Sequence, residues 1–207
     1  AQKEARDLVA ANRNLLKPGS GDPVINMKLD IVLGCYWVTK EVEGALGSGQ
    51  YFSSPNHAIM AHDFGYVDLQ AKIKVKMTKK EKYGEYKEKI METTVGRLLF
   101  NNNLPGDFPF FNHSVTGKGL SAFVYYLVHH YEMSLMPDIL DKIKTFGFKY
   151  ATVSGITWGI DDVVVPAQKG EIIKKAQEET IEIYEQYNDG LLSDNERYQL
   201  FIEIWLK

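Results

Sequence analysis

The sequence predicts an α+β fold in which mixed helices with a small antiparallel sheet are followed by a helical region and then by an antiparallel helical hairpin. Residues 69–77 alternate strictly between apolar and polar side chains, which is the period of a half-buried strand. Residues 90–95 supply the second arm of a strand hairpin, after a charged turn around Gly84. The last quarter instead repeats apolar side chains every three or four positions, which is typical of helices.

Composition excludes several classes of protein. The 207 residues are 44% hydrophobic and 25% charged, which is ordinary for a globular protein with a buried core. A net charge of −3 argues against a free-standing nucleic-acid binder, since such proteins are usually basic. The single Cys35 excludes a disulfide framework and any cysteine-based zinc site, and it suits a reducing cytosol. No run approaches the ~20 apolar residues of a membrane-spanning helix.

Both ends of the chain have the pattern of interrupted helices. Ala5, Leu8 and Val9 are spaced for a buried face within a helix predicted over residues 1–12. At the other end, helical periodicity continues up to Lys207. We therefore expect the chain to be a fragment of a longer protein.

Further helices are predicted between these ends. Residues 30–40 fit a buried helix, and Ser54 followed by Pro55 starts another, with serine as the N-cap. Residues 119–133 form an apolar helix, and residues 136–145 form an amphipathic helix closed by Gly147. The core stripe of the apolar helix consists of Leu120, Phe123, Val124, Leu127 and Tyr131.

Histidine spacing in these helices does not suit a metal site. His57 and His62 are five residues apart, and His129 and His130 are adjacent, so neither pair shares a helix face. The first pair is predicted to be surface or packing histidines, and the second pair to be core or boundary histidines.

The lysines of the predicted strand allow two interpretations. Lys72, Lys74 and Lys76 share one face of residues 69–77. They form either a basic strip toward nucleic acid or nucleotide phosphates, or an exposed face that keeps the strand soluble and discourages edge pairing. The pattern favours the second. After the second strand, Gly96 is expected to allow close packing, and Arg97 to cap or pair, at the start of a short helix over residues 98–102.

The C-terminal hairpin is predicted from periodicity and end signals. Asp189-Gly190 ends the first helix, and Ser193 with Glu196 forms a capping box for the second. A short turn makes the helices antiparallel, so that their apolar stripes face each other. The predicted stripes are Ile172, Ala176, Thr180, Ile183 and Tyr187 on the first helix, and Tyr198, Phe201, Ile202 and Trp205 on the second. The tip over residues 188–192 either offers Leu191 and Leu192 to a partner or folds them back to seal the turn.

A polar loop precedes the hairpin and invites an enzymatic interpretation. Ser154, Asp161 and Asp162 could serve acid–base or metal chemistry, as in a small hydrolase with a pocket around them. Adjacent aspartates diverge, however, and no Glu or His completes a site at a suitable spacing. Catalysis there is the least favoured hypothesis.

Several motifs resemble one protein family. They are Asn14-Leu15-Leu16-Lys17-Pro18, Gly21-Asp22-Pro23-Val24, Thr93-Thr94-Val95-Gly96-Arg97 with Leu104-Pro105, Ser154-Gly155, Asp161-Asp162 with an apolar triplet and Pro166, Gln186-Tyr187, Gly190-Leu191, and Glu196-Arg197-Tyr198 before Ile204-Trp205. In this order they resemble the largest catalytic subunit of multisubunit RNA polymerase, in its bacterial beta-prime form. The family's Asn-Ala-Asp-Phe-Asp-Gly-Asp motif, which binds catalytic magnesium, is absent, and Leu29-Asp30 stands where the family has Gln-Asp.

The resemblance implies three domains. Residues 1–104 correspond to part of the pore domain, residues 105–166 to the funnel, and residues 167–207 to a truncated rim hairpin. Together these parts surround the secondary channel, which admits nucleoside triphosphates and receives the RNA 3′ end of a backtracked enzyme. Thr94, Arg97, Ser154 and Asp162 are then expected near the channel. The residues expected to bind coiled-coil factors are Asn188, Asp189, Gly190, Leu191 and Leu192.

The resemblance also implies how the chain works within its parent. The parent is a cytoplasmic, nucleoid-associated nucleotidyltransferase that uses Mg²⁺, whereas this segment is expected to be inert alone, with no catalytic residue, metal ligand or cofactor. Its implied partners are the other polymerase subunits, coiled-coil channel factors, and DNA and RNA through the parent complex, with no membrane. The alternative is a stand-alone, non-enzymatic α+β protein-interaction module.

Overall fold

A computed structural model describes residues 1–10 and 13–206. The chain divides into two compact units, Ala1–Ile156 and Thr157–Lys207. The predicted α+β class is confirmed by the element order. The helices are α1 (Gln2–Glu4, continued by a π-helical turn Ala5–Val9), α2 (Asp30–Thr39), α3 (Pro55–Asp63), α4 (Val95–Asn101), α5 (Gly117–His130), α6 (Met136–Ser154), α7 (Lys169–Asn188) and α8 (Asp194–Leu206), and the strands are β1 (Tyr51–Phe52), β2 (Lys72–Lys76) and β3 (Ile90–Thr94). Short 3₁₀ turns occupy Glu81–Tyr86 and Ile160–Asp162.

The small sheet has the order β1-β2-β3. β2 and β3 are antiparallel, with Lys74 opposite Glu92, as the alternating pattern predicts. β1 adds a short parallel strand, with Tyr51 opposite Lys74, so the sheet is mixed. Ile73 and Val75 of β2 are fully buried, whereas the lysines between them are exposed. One face of the sheet therefore belongs to the core.

Helices α2 and α6 of the first unit pack closely through two glycines. A Cβ atom on Gly34 would lie 1.9 Å from the carbonyl oxygen of Gly147, and one on Gly147 would lie 2.7 Å from that of Ile31. The prediction that Gly147 closes its helix was wrong, because α6 continues to Ser154 and ends at Gly155, whose φ is 61°. Gly147 is kept inside the helix because only a residue without Cβ fits this crossing.

Apolar side chains of α5 and α6 complete the core of the first unit. The predicted α5 residues Leu120, Phe123, Val124 and Leu127 are buried, and Tyr131 is half-buried beyond the helix end. Phe100 of α4 is buried among aromatic rings, with centroids 5.8 Å from Phe146 and 6.1 Å from Phe123. The pattern therefore predicted the buried face of α5 correctly.

Two predictions of buried side chains were wrong, because the structure exposes those positions. Leu8 and Val9 of the opening helical segment are 67% and 73% exposed, and Ala5 is exposed too, so that face is not buried within the described chain. Part of the predicted helix, residues 11 and 12, lies outside the described residues. His129 and His130 are exposed rather than at the core, because each stacks on the tyrosine four residues earlier on the outer face of α5.

The second unit is a helical hairpin. The stripe of α7 is confirmed at Ala176, Thr180, Ile183 and Tyr187, which are half-buried, but Ile172 is 65% exposed, and the half-buried side chain is that of Ile173. On α8 the predicted stripe was wrong except at Phe201. Tyr198, Ile202 and Trp205 are exposed, and the half-buried residues are Arg197, Leu200, Phe201 and Ile204. α8 is therefore rotated by about one position from the prediction, so that Arg197 faces α7.

Across the described part of the chain, none of the helices combines the length and apolar character that crossing a membrane requires.

Candidate functional site

Thr94 and Arg97 lie where β3 turns into α4. Thr94 is the N-cap of α4, and its hydroxyl accepts a hydrogen bond from the Arg97 N–H at 3.2 Å. A Cβ atom on Gly96 would lie 1.8 Å from the carbonyl oxygen of Val38, so Gly96 does allow close packing. Thr94 is fully buried and Arg97 is 8% exposed. Both residues therefore belong to the joint between the sheet, α4 and α2.

The guanidinium group of Arg97 connects this joint to the end of α2. Its Nε donates to the carbonyl oxygen of Thr39 at 3.1 Å, and its Nη1 lies 3.7 Å from a carboxylate oxygen of Glu41. Burial lowers the pKa of Arg97, and the negative charge of Glu41 opposes that shift. The Thr39 hydroxyl accepts from the Val115 N–H at 2.9 Å, which attaches the loop before α5 to the same point. Arg97 thus pairs within the fold.

The lysine face of β2 is partly neutralised by neighbouring carboxylates. Lys72 Nζ lies 3.4 Å from Glu92 and 3.7 Å from Glu41, and Lys74 Nζ lies 3.9 Å from Glu92. The hydrogen bond to Glu92, followed by the charges of Glu41 and Glu92, raises the pKa of Lys72. These pairs reduce the positive charge available to a phosphate, which favours the exposed-face interpretation over the nucleic-acid one.

Ser154 and Asp162 each complete a local turn. The Ser154 hydroxyl donates to the carbonyl oxygen of Ala151 at 2.7 Å and accepts from the Ile156 N–H at 3.2 Å, at the end of α6. The Asp162 carboxylate accepts from the Gly159 N–H at 2.7 Å and caps the 3₁₀ turn. The two residues belong to different compact units. Their polar atoms are used for capping, which the sequence did not indicate.

The described residues were expected to hold no metal ion of their own, since Mg²⁺ is implied only for the parent enzyme. Among those residues, no three His, Cys, Asp or Glu side chains cluster closely enough to hold a metal ion. That this chain binds no metal ion stays a prediction.

The first unit also contains an open cavity that the sequence did not predict. This open cavity has a volume of about 900 Å³ and includes Trp37, His62, Asp68 and Tyr150 in its lining. The Nδ1 atom of His62 lies 2.7 Å from the carbonyl oxygen of Val67. The lining comes from several elements far apart in the chain, so no local motif could have identified it.

The hairpin tip, residues 188–192, is held by backbone hydrogen bonds. Gly190 has a φ of 73° and donates to the carbonyl oxygen of Tyr187, and the Leu191 N–H donates to that of Gln186, both at 3.0 Å. This pattern is a Schellman-type helix end. Leu191 is 73% exposed, and Asn188, Asp189 and Gly190 are exposed as well. Leu192 is half-buried. The two leucines therefore divide between the alternatives: Leu191 faces solvent and Leu192 folds in.

Behind the tip, Arg197 contacts three aromatic rings, a cluster that the sequence analysis missed. Its guanidinium carbon lies 4.6 Å from the ring centroid of Tyr187, 5.5 Å from that of Tyr184 and 5.8 Å from that of Phe201. The sequence did contain a signal for this cluster: Arg197 has an aromatic residue four positions later, Phe201, and the opposing helix carries Tyr184 and Tyr187. At the start of α8, the predicted capping box is confirmed, since the Ser193 N–H donates to Glu196 at 2.9 Å.

Comparison with known proteins assigns the chain to a family. Residues 14–163 match the family model described as RNA polymerase Rpb1, domain 3. The chain belongs to this family. Its resemblance to the bacterial beta-prime subunit is confirmed as well, because relatives of that name align with essentially all of it.

Three such relatives are named DNA-directed RNA polymerase subunit beta'. The protein from Caldanaerobacter subterraneus subsp. tengcongensis is 41% identical over 99% of this chain, that from Thermobifida fusca is 42% identical over 100%, and that from Acetivibrio thermocellus is 43% identical over 99%. The alignments include 18%, 17% and 19% of these relatives, respectively. The chain therefore spans less than a fifth of their length and corresponds to a part of the subunit.

Proposed function

We propose that this chain forms part of the secondary-channel wall of a DNA-directed RNA polymerase used in transcription, and that its helical hairpin is a docking point for coiled-coil factors on the channel rim. The observation that carries the proposal is a separate helical unit with an exposed, hydrogen-bonded tip, in a chain that aligns over its whole length with beta' relatives. The other polymerase subunits are the remaining partners, and DNA and RNA are reached through the assembled enzyme in the cytoplasm.

The geometry of the hairpin suits docking. Helices of this length are marginal alone and gain stability from each other's faces. Here the Arg197 cluster joins the two helices, and the helix-end hydrogen bonds fix the backbone at Leu191 while its side chain stays exposed. Because hydrogen bonds already fix the backbone of the tip, the tip should lose little conformational entropy when a partner binds there.

The first unit contributes to the wall through its backbone framework. Thr94 and Arg97 act as internal supports, since both side chains are buried and engaged with α4, Thr39 and Glu41. In this proposal Thr94, Arg97, Ser154 and Asp162 contribute to the channel wall indirectly. Their hydrogen bonds fix the local backbone, and that backbone shapes the surface of the wall. Catalytic Mg²⁺ and its aspartates come from elsewhere in the parent subunit.

The test is a binding titration of the 207-residue chain with a purified bacterial transcript-cleavage factor of the coiled-coil type, at fixed salt. Leu191→Ser removes the exposed apolar contact, and Ile172→Ser is the matched control because Ile172 is 65% exposed near the other end of α7. We expect saturable binding that Leu191→Ser weakens about tenfold, as for an apolar anchor, and that Ile172→Ser leaves within twofold. Circular dichroism checks that all three proteins are folded. Folded proteins without binding at high concentration would contradict the docking proposal.

A further inference from the structure

Charge is distributed unevenly along the hairpin. Residues 176–196, which include the C-terminal part of α7, the tip and the first three residues of α8, contain no lysine or arginine. They carry seven carboxylates: Glu178, Glu179, Glu182, Glu185, Asp189, Asp194 and Glu196. We call this segment the acidic end. A whole chain of net charge −3 thus concentrates its negative charge around the tip.

Few of these carboxylates are neutralised inside the unit. Among the described residues, the ion pairs of the hairpin are Lys174–Glu178 and Arg197–Asp194, and Glu196 is engaged by Ser193. Glu182 and Glu185 of α7 and Asp189, which directly follows the helix, are exposed and lie three and four residues apart. Like charges at those spacings destabilise a helix by about 0.2–0.5 kcal/mol per pair. A cationic partner would remove that repulsion.

Several exposed apolar side chains lie within this acidic end. Leu191 is 73% exposed, Ile181 is 58% exposed and Tyr184 is 46% exposed. Leu191 directly follows Gly190, whose φ of 73° and N–H bond to Tyr187 set its direction. An exposed apolar side chain on a hydrogen-bonded helix end, within an acidic segment, has the arrangement of an interface anchor with a polar rim.

We infer that the acidic end recognises a protein surface in which an apolar socket for Leu191 is bordered by lysine or arginine side chains. The inference rests on the proposed docking function and specifies the chemistry of the partner. Nucleic acid is disfavoured as the occupant because its phosphates would meet uncompensated carboxylates. Complementary charge of this kind chiefly accelerates association and makes affinity dependent on salt.

The test compares two double variants of equal net charge in titrations with the same coiled-coil factor. Glu182→Gln with Glu185→Gln neutralises the acidic end. Glu171→Gln with Glu203→Gln neutralises two exposed carboxylates at the other end of the hairpin and is the control. We expect the first variant to weaken binding about tenfold at low salt and to flatten the salt dependence. The control should change affinity less than twofold.

Each outcome separates this inference from the proposal beneath it. If Leu191→Ser weakens binding but both double variants bind like the parent chain, the basic-rim inference is overturned and the docking function stands. If the parent chain binds no factor, both are overturned. Saturable binding of a single-stranded RNA oligonucleotide that Leu191→Ser weakens would assign the tip to nucleic acid instead.

Discussion

The guanidinium carbon of Arg197 in α8 lies 4.6 Å from the ring centroid of Tyr187 in α7. The same group also lies near the rings of Tyr184 and Phe201, and it pairs with Asp194 one turn earlier. A planar guanidinium stacks on aromatic faces while donating from its edge, which an ammonium group cannot do. The Arg197 side chain therefore joins α8 to α7 through non-covalent contacts just behind the tip.

Replacing this guanidinium while keeping its charge should loosen the hairpin. We expect Arg197→Lys to lower the opening free energy of α7 and α8 by up to about 1 kcal/mol, because lysine keeps the charge but loses the planar stacking on the rings. Native-state hydrogen exchange of the α7 and α8 amides measures the effect.

A lysine-to-arginine substitution at an exposed site, Lys174→Arg, is the matched control for Arg197→Lys. Lys174→Arg alters a residue whose side chain is 78% exposed and pairs only with Glu178 among the described residues, so exchange should change little. In a Tyr187→Leu background the effect of Arg197→Lys should shrink. An undiminished effect there would show that the stacking on Tyr187 is not the source of the stability.

Gly147 should not tolerate a methyl group. We expect Gly147→Ala to destabilise the α2–α6 contact by about 1–3 kcal/mol, because the added Cβ would lie 2.7 Å from the carbonyl oxygen of Ile31. Gly170→Ala is the control, since a Cβ on Gly170 meets nothing within 4 Å, and alanine should stabilise α7 by about 0.5–1 kcal/mol there. Hydrogen exchange in α2, α6 and α7 reports both effects. Greater protection of α6 in Gly147→Ala would contradict the close crossing.

Arg97→Gln should destabilise the first unit. Loss of the bond to the Thr39 carbonyl and of the charge facing Glu41 should cost about 1.5–3 kcal/mol, the range for hydrogen bonds to charged groups. Urea unfolding followed through exchange of the α4 amides measures the loss. Lys76→Gln, which removes an exposed lysine of β2, is the control and should change stability by less than about 0.5 kcal/mol. Equal stability of both variants would mean that the buried contacts of Arg97 contribute nothing.

The capping box of α8 should depend on pH. The side-chain and backbone hydrogen bonds of Ser193 lower the pKa of Glu196 from its ordinary value. Because the folded-state pKa lies below the unfolded one, the stabilisation is present above the usual glutamate range and is lost as pH falls through the folded-state pKa. Ser193→Ala should raise the pKa of Glu196 in an NMR titration of its carboxyl group.

Ser54→Ala is the control for this titration. It removes the corresponding N-cap bond from α3, where Ser54 accepts the His57 N–H at 3.2 Å, and it should leave the pKa of Glu196 unchanged. An unchanged pKa in Ser193→Ala would remove the assigned cause of the shift.

Local signals in the sequence predicted much of the secondary structure. The alternation around β2, the Ser54 and Ser193 caps and the Gly190 helix end depend on neighbouring residues only, and the structure confirms each of them. The functional positions of Thr94, Arg97, Ser154, Asp162 and the tip stay predictions. The division into three domains also stays a prediction.

Contacts between distant residues decided the rest. By itself, the sequence determined the class of the fold, the family and most element boundaries, because period, caps and turns act over a few residues. Only the tertiary structure showed that α6 runs through Gly147, because the close approach of Ile31 explains a glycine that otherwise ends a helix. The rotation of α8 likewise depends on α7. The sequence pattern treats Arg197 as a polar residue on the outer face, but its guanidinium group lies against the rings of Tyr184 and Tyr187 and so turns Arg197 inward.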